Sequence, residues 1–282
     1  MPELVCLGDC CIDYYLPPVG RGYAGGSAVN VAVAAHAAGL PAACAGALGD
    51  DPAGQAVLSL LAARGVDVTH FLPVRGPTRR VPIRVTPDGH QYAHEMMPPR
   101  RPFQPTPEML VFALGASAAH LNWLDDPRQA LPALARPGGP RISLDYGARS
   151  DSDLLEDTLP YVQIAFFALP APRAAAAEDL ARLAAARGPR LVIVTLAEAG
   201  SLAFDSRAAI RQPAVPVDAT DSLGAGDSFI GAFLAAHLQN LPLEACLAAA
   251  SAAAARACTV PGGWPGAEID PAILEREEYP WR

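Results

Sequence analysis

The later half of the chain alternates between two textures, and that alternation limits what it can become. Short apolar runs at 118–123, 141–144, 162–167 and 191–195 are separated by helix-like stretches at 127–136, 154–159 and 174–187. Leu191-Val192-Ile193-Val194 contains no polar residue. A strand that is apolar on both sides must be covered on both faces. Strands of this kind between helices predict a mostly parallel sheet in an α/β fold. Ligands of such sheets bind beyond the carboxyl ends of the strands, where Asn122, Asp145 and Thr195 fall. Segments 201–205 and 209–212 read as a closing antiparallel pair. Segments 225–238 and 243–257 read as two core helices, with Phe229 and Phe233 one turn apart.

The first hundred residues have a different character. Leu4-Val5-Cys6-Leu7 reads as a buried strand running out at Asp9, with a second acid, Asp13, inside the apolar stretch that follows. Gly25 and Gly26 open a helix whose first turn carries Asn30. Asn is a poor helix-interior residue, so it needs a reason to be there. A hydrogen bond back to the loop is one; an amide gripping vicinal hydroxyls is another. Residues 52–64 form an amphipathic helix stopped by Gly65. Residues 79–86 then alternate, Asp88-Gly89 is a hairpin turn, and 91–96 returns. A hairpin inside an αβ chain predicts a small sheet standing off the main one.

At 282 residues, 51% of them hydrophobic, the chain suffices for one large domain spanning 1–282. The net charge of −8, with no basic runs, argues against nucleic acid or an anionic membrane as a partner. Lysine is absent, which excludes a Walker-type phosphate loop; any phosphate clamp must use backbone N–H groups, Arg or a metal. The six cysteines form no C-x-x-C pair, no signal-like leader opens the chain, and no apolar run reaches spanning length. A cytoplasmic protein with reduced thiols is expected.

The stretch from Val217 to Phe229 carries the chemistry. A polar loop holding Asp221 and Ser222 runs through Gly224-Ala225-Gly226-Asp227 into an apolar helix. Residues without bulk let another molecule reach the backbone N–H groups at a helix start, where donors are unpaired and anions are attracted. The positive helix end favours an ionised Asp227, suited to take a proton from a hydroxyl. An anion cradle beside a carboxylate is the minimum equipment for moving a phosphoryl group onto an alcohol. Taken alone, Gly-Ala-Gly-Asp is also an ordinary turn with an Asp cap.

The longer string Asp221-Ser222-Leu223-Gly224-Ala225-Gly226-Asp227-Ser228-Phe229 resembles the C-terminal signature of the ribokinase-like, PfkB-type carbohydrate kinases. Gly25-Gly26-Ser27-Ala28-Val29-Asn30, with Gly46–Gly54 downstream, resembles the N-terminal signature. The likeness covers roughly residues 4–266. It implies a three-layer α/β/α fold with a mostly parallel central sheet and a small β lid formed by about 12–20 and 78–97. It also implies an ATP-dependent kinase acting on a sugar hydroxyl. Asp227 would be the catalytic base, and Gly224, Ala225 and Gly226 the anion hole. Asp13, Gly25, Gly26 and Asn30 would contact the sugar, with Asp9 the weaker alternative to Asp13. Thr195, Gly200, Asp221, Gly224, Gly226 and Cys258 would contact the nucleotide. Exposed apolar residues on a lid would favour a homodimer through it.

The resemblance has gaps. Ser222 stands for the usual Thr, and Ala197 for a usual Gly in the nucleotide-binding turn. Many members carry an Asn-x-x-Glu motif that organises Mg²⁺; here the segment reads Ala168-Leu169-Pro170-Ala171. Mg²⁺ would then rest on ATP phosphates and water, with Asp145 or Asp221 beyond, and a monovalent cation is a further expectation from the family. Arg149, in the segment Asp145–Arg149, is either a phosphate contact or a solvated arginine. Several details are similar to the fructosamine-kinase branch, fructoselysine 6-kinases included. They are the short opening Gly8-Asp9-Cys10-Cys11-Ile12-Asp13, the compact hairpin, the missing Asn-x-x-Glu motif, and Gly224-Ala225-Gly226-Asp227-Ser228-Phe229-Ile230 with its downstream Gly263-Trp264. That branch implies phosphorylation of a primary hydroxyl of a fructosamine or related ketose. The competing readings are a non-catalytic sugar- or nucleotide-binding regulator and a nucleoside kinase on the same fold.

Overall fold

The structure, a computed structural model, describes residues 1–86, 89–97, 103–149 and 153–275. The chain begins with β1 (Leu4–Leu7), β2 (Cys11–Tyr15), β3 (Arg21–Gly25), helix α1 (Ser27–Ala37), β4 (Ala42–Ala45), β5 (Ala47–Gly49) and α2 (Pro52–Ala63). It continues through β6 (Leu72–Val74), β7 (Arg80–Thr86), β8 (Gly89–Tyr92), α3 (Pro107–Leu114), β9 (Ala118–Asn122), α4 (Leu131–Leu134), β10 (Arg141–Asp145) and α5 (Asp153–Thr158). The last part holds β11 (Ile164–Ala168), α6 (Ala177–Ala185), β12 (Leu191–Thr195), β13 (Ser201–Phe204), β14 (Ala209–Gln212), α7 (Ala225–Leu238), α8 (Leu243–Ala257) and α9 (Pro271–Glu275).

Eight strands form the main sheet in the order β14-β13-β12-β11-β10-β9-β1-β4. The six from β4 to β12 run parallel, and β13 and β14 close the edge antiparallel. Successive side chains of these strands divide between two cores. Leu4, Cys6, Ile164, Phe166, Leu191 and Ile193 pack with α1, α7 and α8. Val5, Leu7, Ala165, Phe167, Val192 and Val194 pack on the other face, with residues of α3 to α6. Both faces are therefore covered, which is why the strands carry no polar side. This is the three-layer α/β/α arrangement. The chain leaves β1 towards β4 and returns on the opposite side to β9, so the strand order reverses beside β1. Crevices at such reversals receive ligands.

A second sheet stands apart, in the order β3-β2-β7-β8. Its β7–β8 hairpin was legible, although residues 87–88 of its turn lie outside the described residues. Strand β3 was not: Arg21–Gly25 holds two glycines in five residues and has little β propensity. Pairing with β2 and a later segment supplies what propensity lacks. Ala24 N–H donates to the Ala267 carbonyl at 2.7 Å and Ile269 N–H to Gly22 at 2.9 Å, so the tail after Pro261 returns to edge this sheet.

The helix expected over 127–136 is broken. A 3₁₀ turn, Pro127–Gln129, precedes α4, because Pro132 has no N–H to extend a ladder backwards and must sit in a first helical turn. Likewise 174–187 opens as a 3₁₀ segment, Ala171–Ala176, before α6. No helix among the described residues is long and apolar enough to cross a membrane.

Helices α1 and α7 lie against each other through Gly231. A methyl there would come within 2.7 Å of Ala34 Cβ and 2.8 Å of Ala35 N. The glycine therefore sets the spacing between the two helices. Phe233 of α7 meets Phe166 of the sheet edge-on at 5.6 Å, which fixes the other side of α7. Gly231→Ala should force α1 and α7 apart and lower stability by about 1–3 kcal/mol, despite the better helix former. Thermal unfolding followed by circular dichroism checks this, as a Tm several degrees below wild type.

Candidate active site

The first turns of α1 and α7 face each other. Ser27 opens α1, and its Oγ donates to Asp227 Oδ1 at 2.9 Å; Asn30 Nδ2 donates to Asp227 Oδ2 at 2.9 Å. Both oxygens of Asp227 are thus held from the opposite helix. Gly26 precedes α1 with φ 102°, a conformation that favours glycine, and its Cα lies against the Asp9 backbone. Gly25 pairs with Cys11, and any side chain on it would strike the Asp13 carboxylate. Asp13, Gly25, Gly26, Asn30 and Asp227 are therefore brought to one place. Asn30 is buried, and its Oδ1 has no partner among the described residues. An acceptor left open beside a carboxylate suits a hydroxyl donor.

Gly224 caps α7 with φ 72°. A Cβ there would meet Gly263 Cα at 2.7 Å and Asn30 Nδ2 at 3.3 Å. Gly226 has nothing within 4 Å of where a Cβ would stand and is exposed. Ala225 N–H bonds back to the Ser222 carbonyl at 3.3 Å, closing the turn. The next N–H groups of α7 have no carbonyl one turn earlier in the helix to receive them. Open space, free of side chains, over the start of a helix is an anion site in form.

Electrostatics run against the sequence expectation of a readily ionised Asp227. Burial pushes its carboxyl up to about 7; Asn30 and Ser27 oppose this, and Asp145 and Asp9 add to it. Desolvation and like charges outweigh the helix end. A carboxyl near 7 is matched to a base working at neutral pH. Asp13 is also pushed up to about 7, by burial and then by Asp9 and Asp227, against Cys11 and Arg79. Asp145 rises to about 6 through burial, against the Gly147 N–H it accepts at 2.8 Å. Three raised carboxyls thus gather near Asp9, whose own carboxylate is paired with Arg79 at 3.1 Å.

Asp221 differs. Tyr15 Oη donates to its Oδ2, as does Gly262 N–H at 3.1 Å. Leu223 N–H donates to Oδ1 at 3.0 Å, and His90 Nδ1 lies 3.3 Å from Oδ1. Burial raises this carboxyl, but His90, Tyr15 and the two amides together bring it down to about 2. It is an ionised group with both oxygens taken by the chain's own donors, so it offers little to a bridging water or cation. Sequence reasoning missed Ser27, Tyr15, His90 and Gly263. Two of these had a signal: Ser27 as a hydroxyl at a helix start after two glycines, and Gly263 within the Gly263-Trp264 pair.

The remaining positions lie along the carboxyl edge of the sheet or beside α8. Thr195 ends β12, and its Oγ1 donates to the Phe167 carbonyl at 3.3 Å. Ala197 adopts φ 52°, so a residue with a Cβ holds a turn that would favour glycine, and Gly200 follows at φ 95°. Cys258 caps α8, and its carbonyl receives Thr220 N–H at 2.8 Å and Asp221 N–H at 3.2 Å, pinning the loop before α7. Arg149 stacks over Trp123 at 4.3 Å. No group of three or more His, Cys, Asp or Glu among the described residues could hold a metal by itself. A Mg²⁺ ion would therefore have to be carried mainly on phosphates and water; the nearby Asp145 carboxylate accepts a hydrogen bond from Gly147 N–H.

Because Asp13 is raised in the folded chain, it stabilises the fold below about 4 and that contribution is lost as pH climbs through about 7. Asp13→Asn removes the penalty. Its Tm should exceed wild type by about 2–4 °C per kcal/mol recovered at pH 8, with the gap closing at pH 4, by thermal unfolding at both values.

Comparison with known proteins agrees with this fold. The family model described as pfkB family carbohydrate kinase matches residues 1–94 and 142–269. Fructoselysine 6-kinase of Escherichia coli is 30% identical over 268 residues, covering 94% of this chain and all of that one. Cytidine kinase of Thermococcus kodakarensis is 29% identical, covering 88% of this chain and 92% of that one. The solved structure of a microbiome-derived acarbose kinase, Mak1, superposes with a TM-score of 0.79 at 25% identity, covering 98% of both chains. The chain belongs to the pfkB family of carbohydrate kinases and is an ATP-dependent sugar kinase of ribokinase-like fold.

Proposed function

We propose that the acceptor is a fructosamine such as fructoselysine, or a related ketose, and that ATP phosphorylates its primary hydroxyl. The observation that carries the chemistry is the pairing of Asp227 with an open helix start one residue away. Asp227 takes the hydroxyl proton as that oxygen attacks the γ-phosphorus and the bond to the β–γ bridging oxygen breaks. The proton rests on Asp227, and ADP carries the departing electron pair. The transferring group lies over Gly224, Ala225 and Gly226, where the N–H groups of the α7 start that are not used to close the turn supply charge stabilisation without reorganisation.

Asp13, Gly25, Gly26 and Asn30 hold the sugar, with the open Oδ1 of Asn30 accepting one hydroxyl. The sheet of β3, β2, β7 and β8 covers it as a lid. Thr195, Gly200 and the loop pinned by Cys258 flank the nucleotide. Mg²⁺, when bound, would neutralise phosphate charge, and Asp145 would accept a hydrogen bond from a water that it carries. Asp221 is left out of that role, because its oxygens are already satisfied. A monovalent cation is not needed to balance Asp221 in this reading. Val85 and Tyr92 are 58% and 44% exposed on the lid, an apolar surface through which two copies would pair. A cytoplasmic address, where ATP is abundant, belongs to the same reading.

The likeness to a cytidine kinase keeps nucleosides as a second acceptor class. A coupled ADP-release assay across fructoselysine, other fructosamines, fructose, ribose, adenosine and cytidine decides between them. Turnover should be highest with fructosamines, and Asp227→Asn should lower it by about 10²–10⁴-fold. Nucleoside-dependent turnover above that of the sugars would transfer the proposal to the second class, and full activity in Asp227→Asn would remove the base.

A further inference from the structure

The four donors on Asp221 come from three separate parts of the fold. Tyr15 ends β2 and His90 lies in β8, both in the small sheet. Leu223 belongs to the turn before α7, and Gly262 to the loop after α8. One carboxylate therefore ties the small sheet to the loop that shapes the anion-binding turn. The tie continues inward: Gly263, next to Gly262, packs on Gly224 and on the Asn30 amide that grips Asp227. Tyr15 is a buried side chain, edge-on to Tyr23 at 5.2 Å, and the Tyr23 ring is in turn packed against Gly262. Burial and the Asp221 carboxylate push the Tyr15 phenol well up, so it keeps its proton and remains a donor. Ser222 Oγ lies 3.4 Å from His90 Nδ1, a second contact at the same seam.

We infer that Tyr15 and His90 are positioning residues for phosphoryl transfer, acting through Asp221 to hold the Leu223–Gly226 turn and the Gly262–Gly263 loop in place. Both reach Asp221, not Asp227. Their donors fix Asp221 from the sheet side, and Asp221 fixes two backbone amides on the body side. A buried ionised carboxylate is stable only while its donors are present, so loss of one donor loosens the others. A misplaced anion turn is felt in the transition state more than in sugar binding. This inference rests on the kinase reading above, and its test includes an arm that does not use activity.

The tests are Tyr15→Phe, which keeps the ring, Asp221→Asn, and their double variant. Hydrogen exchange read by mass spectrometry should quicken in peptides covering 219–227 and 258–264 in Tyr15→Phe, with the rest of the protein unchanged. In the ADP-release assay, kcat should fall roughly tenfold, as expected for loss of a hydrogen bond to a charged group, while the sugar KM moves less than twofold. The double variant should lose no more than Asp221→Asn alone, because Tyr15 acts only through that carboxylate. His90→Gln should shift the same peptides, and a smaller effect than Tyr15→Phe agrees with its longer contact. Unchanged exchange in both peptides, or multiplicative losses in the double variant, would overturn the inference. A wild-type protein inactive on every acceptor would instead count against the kinase reading and leave the exchange result to judge the seam.

Discussion

The grip of Ser27 and Asn30 on Asp227 is what the rest of the molecule is arranged to permit. It joins residues 200 and 197 positions apart in the chain. It exists only because two helix starts are brought face to face. That approach depends on Gly231, where α7 touches α1 without a side chain between them. The approach depends in turn on the sheet beneath, whose strands alternate strictly enough to build two cores from the same apolar runs. A carboxylate with both oxygens held from one side can accept a proton only from the other side. The geometry thus gives Asp227 a direction as well as a location.

The same closeness explains the electrostatics. Asp227, Asp13 and Asp145 are pressed together at low exposure, and each is raised from its ordinary value. Asp221, a few residues upstream, is held ionised by four donors. Two carboxylates in one short loop are thus separated in role by their surroundings alone, one poised near neutrality and one fixed as an anion. In the proposed mechanism the raised group exchanges a proton, whereas the fixed one holds structure.

Much of this was legible in the chain. The apolar runs at β9 to β12 announced a covered parallel sheet because burial on both faces leaves no other pattern, and α7 and α8 were bounded as observed. Gly224, Ala225, Gly226 and Asp227 stood out because small residues beside an acid at a helix start leave its N–H groups approachable. What stayed hidden is what only tertiary contact creates. Tyr15 and His90 looked like ordinary strand residues until the small sheet set them on Asp221. Strand β3 had no propensity to betray it and is made by its neighbours. The ionisation of Asp227 was misjudged because the helix end is a local feature, whereas the burial and the Asp145 and Asp9 charges that outweigh it are not. The Cys258 carbonyl, holding the loop before α7, acts through backbone and leaves no mark on the side-chain pattern.

Asp227 as a base tuned by its neighbours is tested most directly by the pH dependence of kcat/KM in wild type and Ser27→Ala. The base must be ionised to accept a proton, so wild-type kcat/KM should rise through a limb near pH 7 and level off above it. Ser27 lowers the Asp227 pKa by its hydrogen bond, so its removal should move that limb to higher pH while leaving the plateau measurable. A wild-type profile flat from pH 5 to 9, or a limb that Ser27→Ala leaves in place or moves lower, would contradict the account.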